Sequence, residues 1–292
     1  MSTHTKRDVA ELEQIAADLR ASVMDMLATA GSGHSAGPLG MAEILTALYF
    51  HCMNHRPEDP EWAQRDICML SNGHTAPILY AALAHSGYFP TEELSTLRRF
   101  RTRLQGHPER KSLPGVENTS GPLGEGLSQG AGYAYTLKYL DQDPHRFVYV
   151  IQGDGEVNEG NVWEAAMFAA KYKLGQLISI IDRNYIQIDG GTEEVMPLGD
   201  LAGKWRSFGW HVLEVNGHSI PALINAIEEG QAVVDRPTMI IANTIPGKGV
   251  RFMEYDFGWH GKPPSAQQNE EWLAGRSNPA AGFDYKAAEK EA

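Results

Sequence analysis

The chain has 292 residues, 37 acidic and 25 basic, for a net charge of −12. That balance excludes a general grip on nucleic acid or an anionic membrane, though a local cationic pocket for a phosphorylated ligand is compatible with it. Two cysteines, Cys52 and Cys68, are too few for a disulfide framework; no apolar run reaches ~18 residues and no signal segment opens the chain, so a cytoplasmic protein is expected.

The opening "VAELEQIAADLRASVMDMLATA" repeats apolar residues at helical spacing through Val9, Leu12, Ile15, Leu19, Val23, Met26 and Leu27. A glycine-rich loop, "GSGHSAGPLG", breaks it, and a second apolar helix, "MAEILTALYFHCM", follows. "DICMLSN" reads as a strand and "APILYAALAHSGY" as a helix. "LGEGLSQGAGYAYTLKYLD" reads as a helix whose small residues permit close approach to a ligand or neighbour. "FVYVIQG", "LISIID", "HVLEV" and "TMIIANT" are expected as buried strands, separated by the helical "NVWEAAMFAAKYKL" and "IPALINAIEEGQAVV". Alternation of this kind predicts an α/β fold, a three-layer αβα sandwich around a mostly parallel sheet. One domain with an N-terminal helical arm is expected over residues 1–263, and the polar stretch 264–292 reads as a tail.

Two strand ends carry the chemistry. "GDG" follows one apolar run and "DRN" closes another, where open α/β sheets bind their ligands. Asp154 and Asn184 supply a carboxylate and an amide oxygen; with a backbone carbonyl they form the all-oxygen set that Mg²⁺ accepts when a phosphate completes its shell. Gly153 and Gly155 let the backbone approach a diphosphate, and a helix starting near Gly160 turns its positive end toward it. Taken alone, a GDG is also an ordinary strand-ending turn.

"GDGEVNEG" followed by "DRNYIQIDG" resembles the diphosphate motif of thiamine diphosphate enzymes. The resemblance implies that Asp154, Asn184 and the carbonyl of Ile186 hold Mg²⁺, with Ca²⁺ or Mn²⁺ as substitute ions; Arg183 stands where the family often has asparagine. "GSGHSAG", "LSNGHTAP", "LQGHPER", "GWHGKPP" and "TSGPLGEG" narrow the resemblance to transketolases, from about Arg20 to Lys262. It implies that His34, His74, His107 and His260 line a sugar channel, His74 also touching the cofactor. It implies further that Gly121, Pro122 and Leu123 contact the cofactor rings, that Gly155 and Asn184 contact its diphosphate, and that Glu159 lies at a subunit interface. Histidine suits proton exchange with sugar hydroxyls near neutral pH.

"GHSAGPLG" departs from the usual "GHPGAPLG"-like sequence, which implies a freer loop. Glu159 also reads as a helix-N-terminal acid favoured by the dipole. His218 reads as a turn residue, and Lys248 and Lys262 as solvated lysines without an assigned role. The pyrimidine-binding half of a transketolase, which carries the activating glutamate and the phosphate-binding arginines, is not recognisable here. The chain is therefore expected to be the first subunit of a split transketolase, in a heterotetramer with a second subunit carrying the pyrimidine-binding and C-terminal domains. Such an enzyme moves a two-carbon ketol unit from a ketose, expected as a sugar phosphate, to an aldose. A non-catalytic cofactor-binding module and the α chain of a 2-oxoacid dehydrogenase are the alternatives.

Overall fold

The computed structural model describes residues 7–276. Helix α1 (Val9–Ala30) starts in a capping box, Asp8 accepting from the Glu11 amide at 2.8 Å while Glu11 accepts from the Asp8 amide at 3.1 Å. It stops at Gly31, whose φ of 63° is the left-handed cap that glycine permits. Two short helices follow, α2 (Ala36–Gly40) and α3 (Ala42–Ala47). Then come β1 (Ile67–Leu70), α4 (Ala76–Ser86), α5 (Glu125–Thr136), β2 (Val148–Gly153), α6 (Gly160–Lys171) and β3 (Leu177–Arg183). A small hairpin, β4 (Ile186–Gln187) with β5 (Gly190–Gly191), leads through α7 (Thr192–Val195) and α8 (Leu201–Ser207). The chain continues as β6 (His211–Asn216), α9 (Ile220–Ala232), β7 (Thr238–Asn243) and α10 (Ala266–Arg276).

Five strands pair in the order β1-β2-β3-β7-β6, all parallel. Successive side chains of β2 go to opposite faces, and they sort accordingly. Tyr149 and Ile151 join a core with α1, α3, α4 and α9, whereas Val148 and Val150 join α5, α6 and α8. This is the three-layer sandwich that the apolar strands predict. Helix α5 reaches the sheet because Gly130 has no side chain; a Cβ there would lie 2.3 Å from Val150 Cγ2. Its small residues thus serve contact with the sheet.

Two expectations need correction. "HVLEV" is β6, an edge strand that is half-exposed rather than buried. The stretch after Pro263 is not simply a tail: Ala266–Arg276 form α10, with Trp272 5% exposed. The indole N–H of Trp272 donates to the Gly249 carbonyl at 2.7 Å, and Asn269 donates to Asp25 on α1 at 2.9 Å. Residues 277–292 of the expected tail lie outside the described residues. Trp272→Ala should destabilise the protein by about 3–5 kcal/mol, the usual range for deleting a buried tryptophan. Urea denaturation measures this, and an unchanged midpoint would place α10 outside the cooperative unit.

Candidate active site

Buried acids tie together the carboxyl ends of β1, β2, β3 and β7. Asp154 directly follows β2, one residue beyond the Gly153–Asp182 pair, and its amide donates to the Asp182 carbonyl at 3.2 Å. Its Oδ1 accepts from the Gly155 amide at 2.7 Å. Its Oδ2 accepts from the Tyr185 amide and Arg183 Nη1, both at 2.8 Å, and from the Thr192 hydroxyl at 3.3 Å. Burial pushes the Asp154 carboxyl up, and Arg183 opposes that by charge and hydrogen bond. Arg183 also pairs with Glu193 at 2.6 Å. The departure from asparagine at this position therefore places a cation against Asp154.

Asn184 is oriented by a residue that sequence reasoning passed over. Asp182 is fully buried, accepts from Asn184 Nδ2 at 2.7 Å and from the Thr244 hydroxyl, and is pushed up to about 7 by burial. Asn184 Oδ1 turns the other way and accepts from the Ile186 amide at 3.1 Å. Between them Tyr185 adopts φ 64°, folding the chain back into the β4–β5 hairpin that fixes Ile186. No group of three His, Cys, Asp or Glu side chains suited to a metal occurs among the described residues. The set here has one carboxylate, one amide and one carbonyl, so it fits a cation only when phosphate oxygens share it. Gln187 Nε2 supports an anion at this place: it is buried without a partner, 3.9 Å from where a Gly155 Cβ would stand.

Glu156 is a second residue missed in the sequence. It is 2% exposed and accepts from the Ser71 hydroxyl, from the Gly124 amide at 2.6 Å and from the Gly153 amide at 3.1 Å. One carboxylate thus ties the end of β1, the loop before α5 and the end of β2. The spacing of GDGE could have suggested it, since the fourth residue can fold back on the turn. Gly121, Pro122 and Leu123 lie on that tied loop, Leu123 being 39% exposed. Glu159 is exposed beside Gly124 and makes no capping hydrogen bond.

The four predicted histidines do gather. Ring centroids lie 5.0 Å apart for His34 and His74, 5.2 Å for His74 and His260, and 5.7 Å for His34 and His260. His107 lies against Gly121, 3.9 Å from where its Cβ would stand. Burial lowers all four: His34 to about 4, His74 to about 3, and His107 and His260 in the same direction. His34 Nδ1 and His260 Nδ1 are buried without partners, as are Asn72 Oδ1 and Ser120 Oγ. The His34 loop is not free: residues after Ser35 form α2, wholly buried, where a Cβ on Gly40 would lie 3.0 Å from the Ile245 carbonyl.

His218 does lie in the turn after β6, with its side chain buried. It donates or shares a proton with Glu43 through Nδ1 at 3.0 Å and accepts from the Ile245 amide through Nε2 at 2.7 Å, which fixes the Nδ1–H tautomer. Glu43 also pairs with Arg20 at 2.5 Å, so this network braces α1 and α3 against the loop after β7. Lys248 is buried, against the solvated expectation, while Lys262 is exposed with its Nζ 4.4 Å from the Trp259 ring centre.

For a histidine with a lowered folded pKa, the unfolded chain takes up the proton first as pH falls. The native state thus loses the histidine contribution progressively from about pH 6.5 toward 4. In a proton NMR titration, the His34 and His74 ring signals should keep neutral shifts at pH 5.5. Midpoints near 6.5 for both would contradict the buried site.

Comparison with known proteins agrees with this geometry. Residues 12–284 match the family described as transketolase, thiamine diphosphate binding domain. Over 250 residues the chain is 43% identical to the 6-deoxy-6-sulfo-D-fructose transketolase subunit SqwG of Clostridium sp. (strain MSTE9), covering 86% of this chain and 90% of that protein. It is 40% identical to one subunit of the apulose-4-phosphate transketolase of Phocaeicola vulgatus, covering 86% and 89%. The transketolase structure from Leishmania mexicana superimposes with a TM-score of 0.86 at 33% identity, over 94% of this chain but 42% of that one. The chain therefore spans nearly all of the subunit-sized relatives and about two-fifths of full-length transketolases. It belongs to the thiamine diphosphate-binding domain family of transketolases.

Proposed function

We propose that this chain is the diphosphate-binding subunit of a two-chain transketolase, transferring a two-carbon ketol unit from a ketose to an aldose. The observation that carries the proposal is the triangle of neutral His34, His74 and His260. Asp154, Asn184 and the Ile186 carbonyl would hold Mg²⁺, with Gly155 and Gln187 facing the cofactor diphosphate. His74 and the Gly121–Leu123 loop would flank its rings. When bound, thiamine diphosphate supplies the electron sink that makes a ketose C2–C3 bond breakable.

The work of the chain itself is proton handling and exclusion of water. A neutral imidazole can accept the hydroxyl proton released as the sugar bond breaks and return it to the acceptor; an imidazolium could not begin that exchange. Burial keeps the three imidazoles neutral without a carboxylate partner. The Glu156 clamp holds the loop bearing Gly121 at a set distance from Asp154. His260, from the loop after β7, is set to orient sugar oxygens. Its replacement by alanine should lower turnover about 10²–10⁴-fold with little change in cofactor affinity. Steady-state rates at saturating sugars test this, and normal turnover would remove His260 from the chemistry.

A second chain is part of the proposal. Relatives of this length are named as subunits, which supports it, and a closed assembly of two copies of each chain is the natural symmetric form. The sugar-type histidine loops and these relatives favour ketol transfer over the 2-oxoacid dehydrogenase alternative, and the complete histidine triangle speaks against a non-catalytic module. Cys52 and Cys68 are both free and buried, and no described helix is long and apolar enough to cross a membrane; both suit the cytoplasmic location proposed.

Asp154→Ala should abolish Mg²⁺-dependent binding of thiamine diphosphate in the reconstituted complex, read by calorimetric titration with and without the metal. Unchanged affinity would take Asp154 out of the site. The chain alone should transfer no ketol groups, and mixing it with its partner should give both activity and a larger particle by light scattering. Robust transfer by chain shown free of partner by mass spectrometry would sink the two-chain proposal.

A further inference from the structure

The loop after β7 carries His260, and near its start Ile245 is held by a buried network. The Ile245 amide donates to His218 Nε2 at 2.7 Å, and His218 Nδ1 faces Glu43 Oε2 at 3.0 Å. A backbone N–H can only donate, so Nε2 accepts and the ring proton sits on Nδ1, donating to Glu43. The same Glu43 oxygen accepts from Arg20 Nη2 at 2.5 Å, and Arg20 Nε donates to the Leu39 carbonyl at 3.0 Å. All three side chains are buried. Burial pushes the Glu43 carboxyl up, but Arg20 and His218 outweigh it and hold the group at about 2. Burial lowers His218 against the pull of Glu43, which keeps the ring neutral. An imidazolium, with a proton on each nitrogen, could not accept from Ile245.

The network reaches both histidine loops. Leu39 and Gly40 belong to α2, shortly after His34, and a Cβ on Gly40 would lie 3.0 Å from the Ile245 carbonyl. The Gly247 amide donates to the Ala36 carbonyl at 2.8 Å, and the Ser35 hydroxyl donates to the Lys262 carbonyl at 2.5 Å. A Cβ on Gly261 would stand 3.7 Å from His34 Nε2. The segment from Ser35 to Gly40 is thus laid against two stretches of the loop after β7, and Ile245 fixes the first of them. On its other side Ile245 adjoins Thr244, which is anchored separately. The Thr244 amide donates to the Arg183 carbonyl at 3.0 Å, and its hydroxyl donates to Asp182. Loosening Ile245 should therefore release the histidine loops while the Asp154 end keeps its own bonds.

We propose that His218 is a positioning residue for ketol transfer: as the Nδ1–H tautomer it holds Ile245, and through Ile245 it sets α2 and the contact between His34 and His260. This rests on the transketolase proposal above and adds to that site a residue that acts on it through the backbone. The physical case is that one rigid ring supplies both a donor and an acceptor, while the Arg20–Glu43 pair fixes where the ring stands. Misplacing a reacting group by about 1 Å can cost on the order of 10²-fold in rate.

The test uses the enzyme reconstituted with its partner and two amide variants that divide the roles of the ring. His218→Asn keeps a donor near Nδ1 for Glu43 but is too short to accept from Ile245; His218→Gln carries an acceptor out to the Nε2 position. His218→Asn should lower kcat about 10–100-fold and change the affinity for thiamine diphosphate with Mg²⁺ less than about threefold. His218→Gln should recover most of that loss. In proton NMR of the chain at neutral pH, the His34 and His260 ring signals should move in His218→Asn and return in His218→Gln. A residue that served only to satisfy Glu43 would give the reverse order, with His218→Asn the better tolerated, and that order overturns the proposal. Unmoved rings, unchanged turnover in His218→Asn, or a parallel fall of turnover and cofactor affinity also overturns it. The wild-type chain supplies a readout independent of either variant folding: its His218 nitrogen shifts should show Nδ1 protonated and Nε2 accepting, and a proton on Nε2 overturns the proposal. If the wild-type complex transfers no ketol groups, the transketolase proposal fails, and the ring signals still decide whether His218 positions the two loops.

Discussion

A carboxylate buried at the carboxyl edge of a parallel sheet loses its water and must find donors in the protein. Unpaired, such a charge costs several kcal/mol even after relaxation. Three such acids sit here, and each is satisfied by residues from more than one element. Asp154 joins β2 to the turn after β3, Asp182 joins β3 to the loop after β7, and Glu156 joins β1, β2 and the loop before α5. The loops that carry the site are therefore not independent of one another. Hydrogen bonding at the strand ends sets their separations, and the chemistry inherits those separations.

The same burial decides the protonation states. Desolvation disfavours charge of either sign, so it pushes Asp154, Glu156 and Asp182 up while pushing His34, His74, His107 and His260 down. A site that must exchange protons with sugar hydroxyls gains from neutral imidazoles, and one that must hold a diphosphate gains from removing water around it. In the proposed site both would follow from one feature, the close packing of the loops. Glycine makes that packing possible at specific points: a Cβ on Gly126 would stand 2.4 Å from Ser71 Cβ, and one on Gly73 would stand 2.6 Å from Ser120 Oγ.

Much of this was legible in the sequence because the relevant patterns are local. Apolar runs followed by helical periodicity gave the layered sheet, and GDG and DRN marked strand ends at Gly153 and Arg183. The histidines were legible as a group through their glycine-rich neighbours, and they do converge. What escaped reading depends on partners distant in the chain. His218 is legible as a turn residue, but its partner Glu43, 175 positions away, is not. Trp272 looks like part of a polar tail until Gly249 supplies its acceptor. Asp182 and Glu156 lie within the recognised motifs, yet their partners Thr244, Ser71 and Gly124 are distant in the chain.

Arg183 shows how a departure from a motif can remain consistent with the site. At the strand end, Asp154 lies near a second buried acid, and its charge pushes Asp182 further up. Two carboxylates so placed repel one another, and without a cation one of them would take up a proton. Arg183 lies at 2.8 Å from Asp154 and shares its guanidinium with the more exposed Glu193, so the positive charge is anchored from the solvent side while it serves the buried one. The bond is made through Oδ2, whereas Oδ1 accepts only the Gly155 amide. One carboxylate oxygen thus carries the counter-charge and two further donors, leaving the other with a single neutral partner on the GDG turn. An acid arranged in this way has a counter-charge against its burial on one oxygen and keeps the other with spare acceptor capacity for a metal.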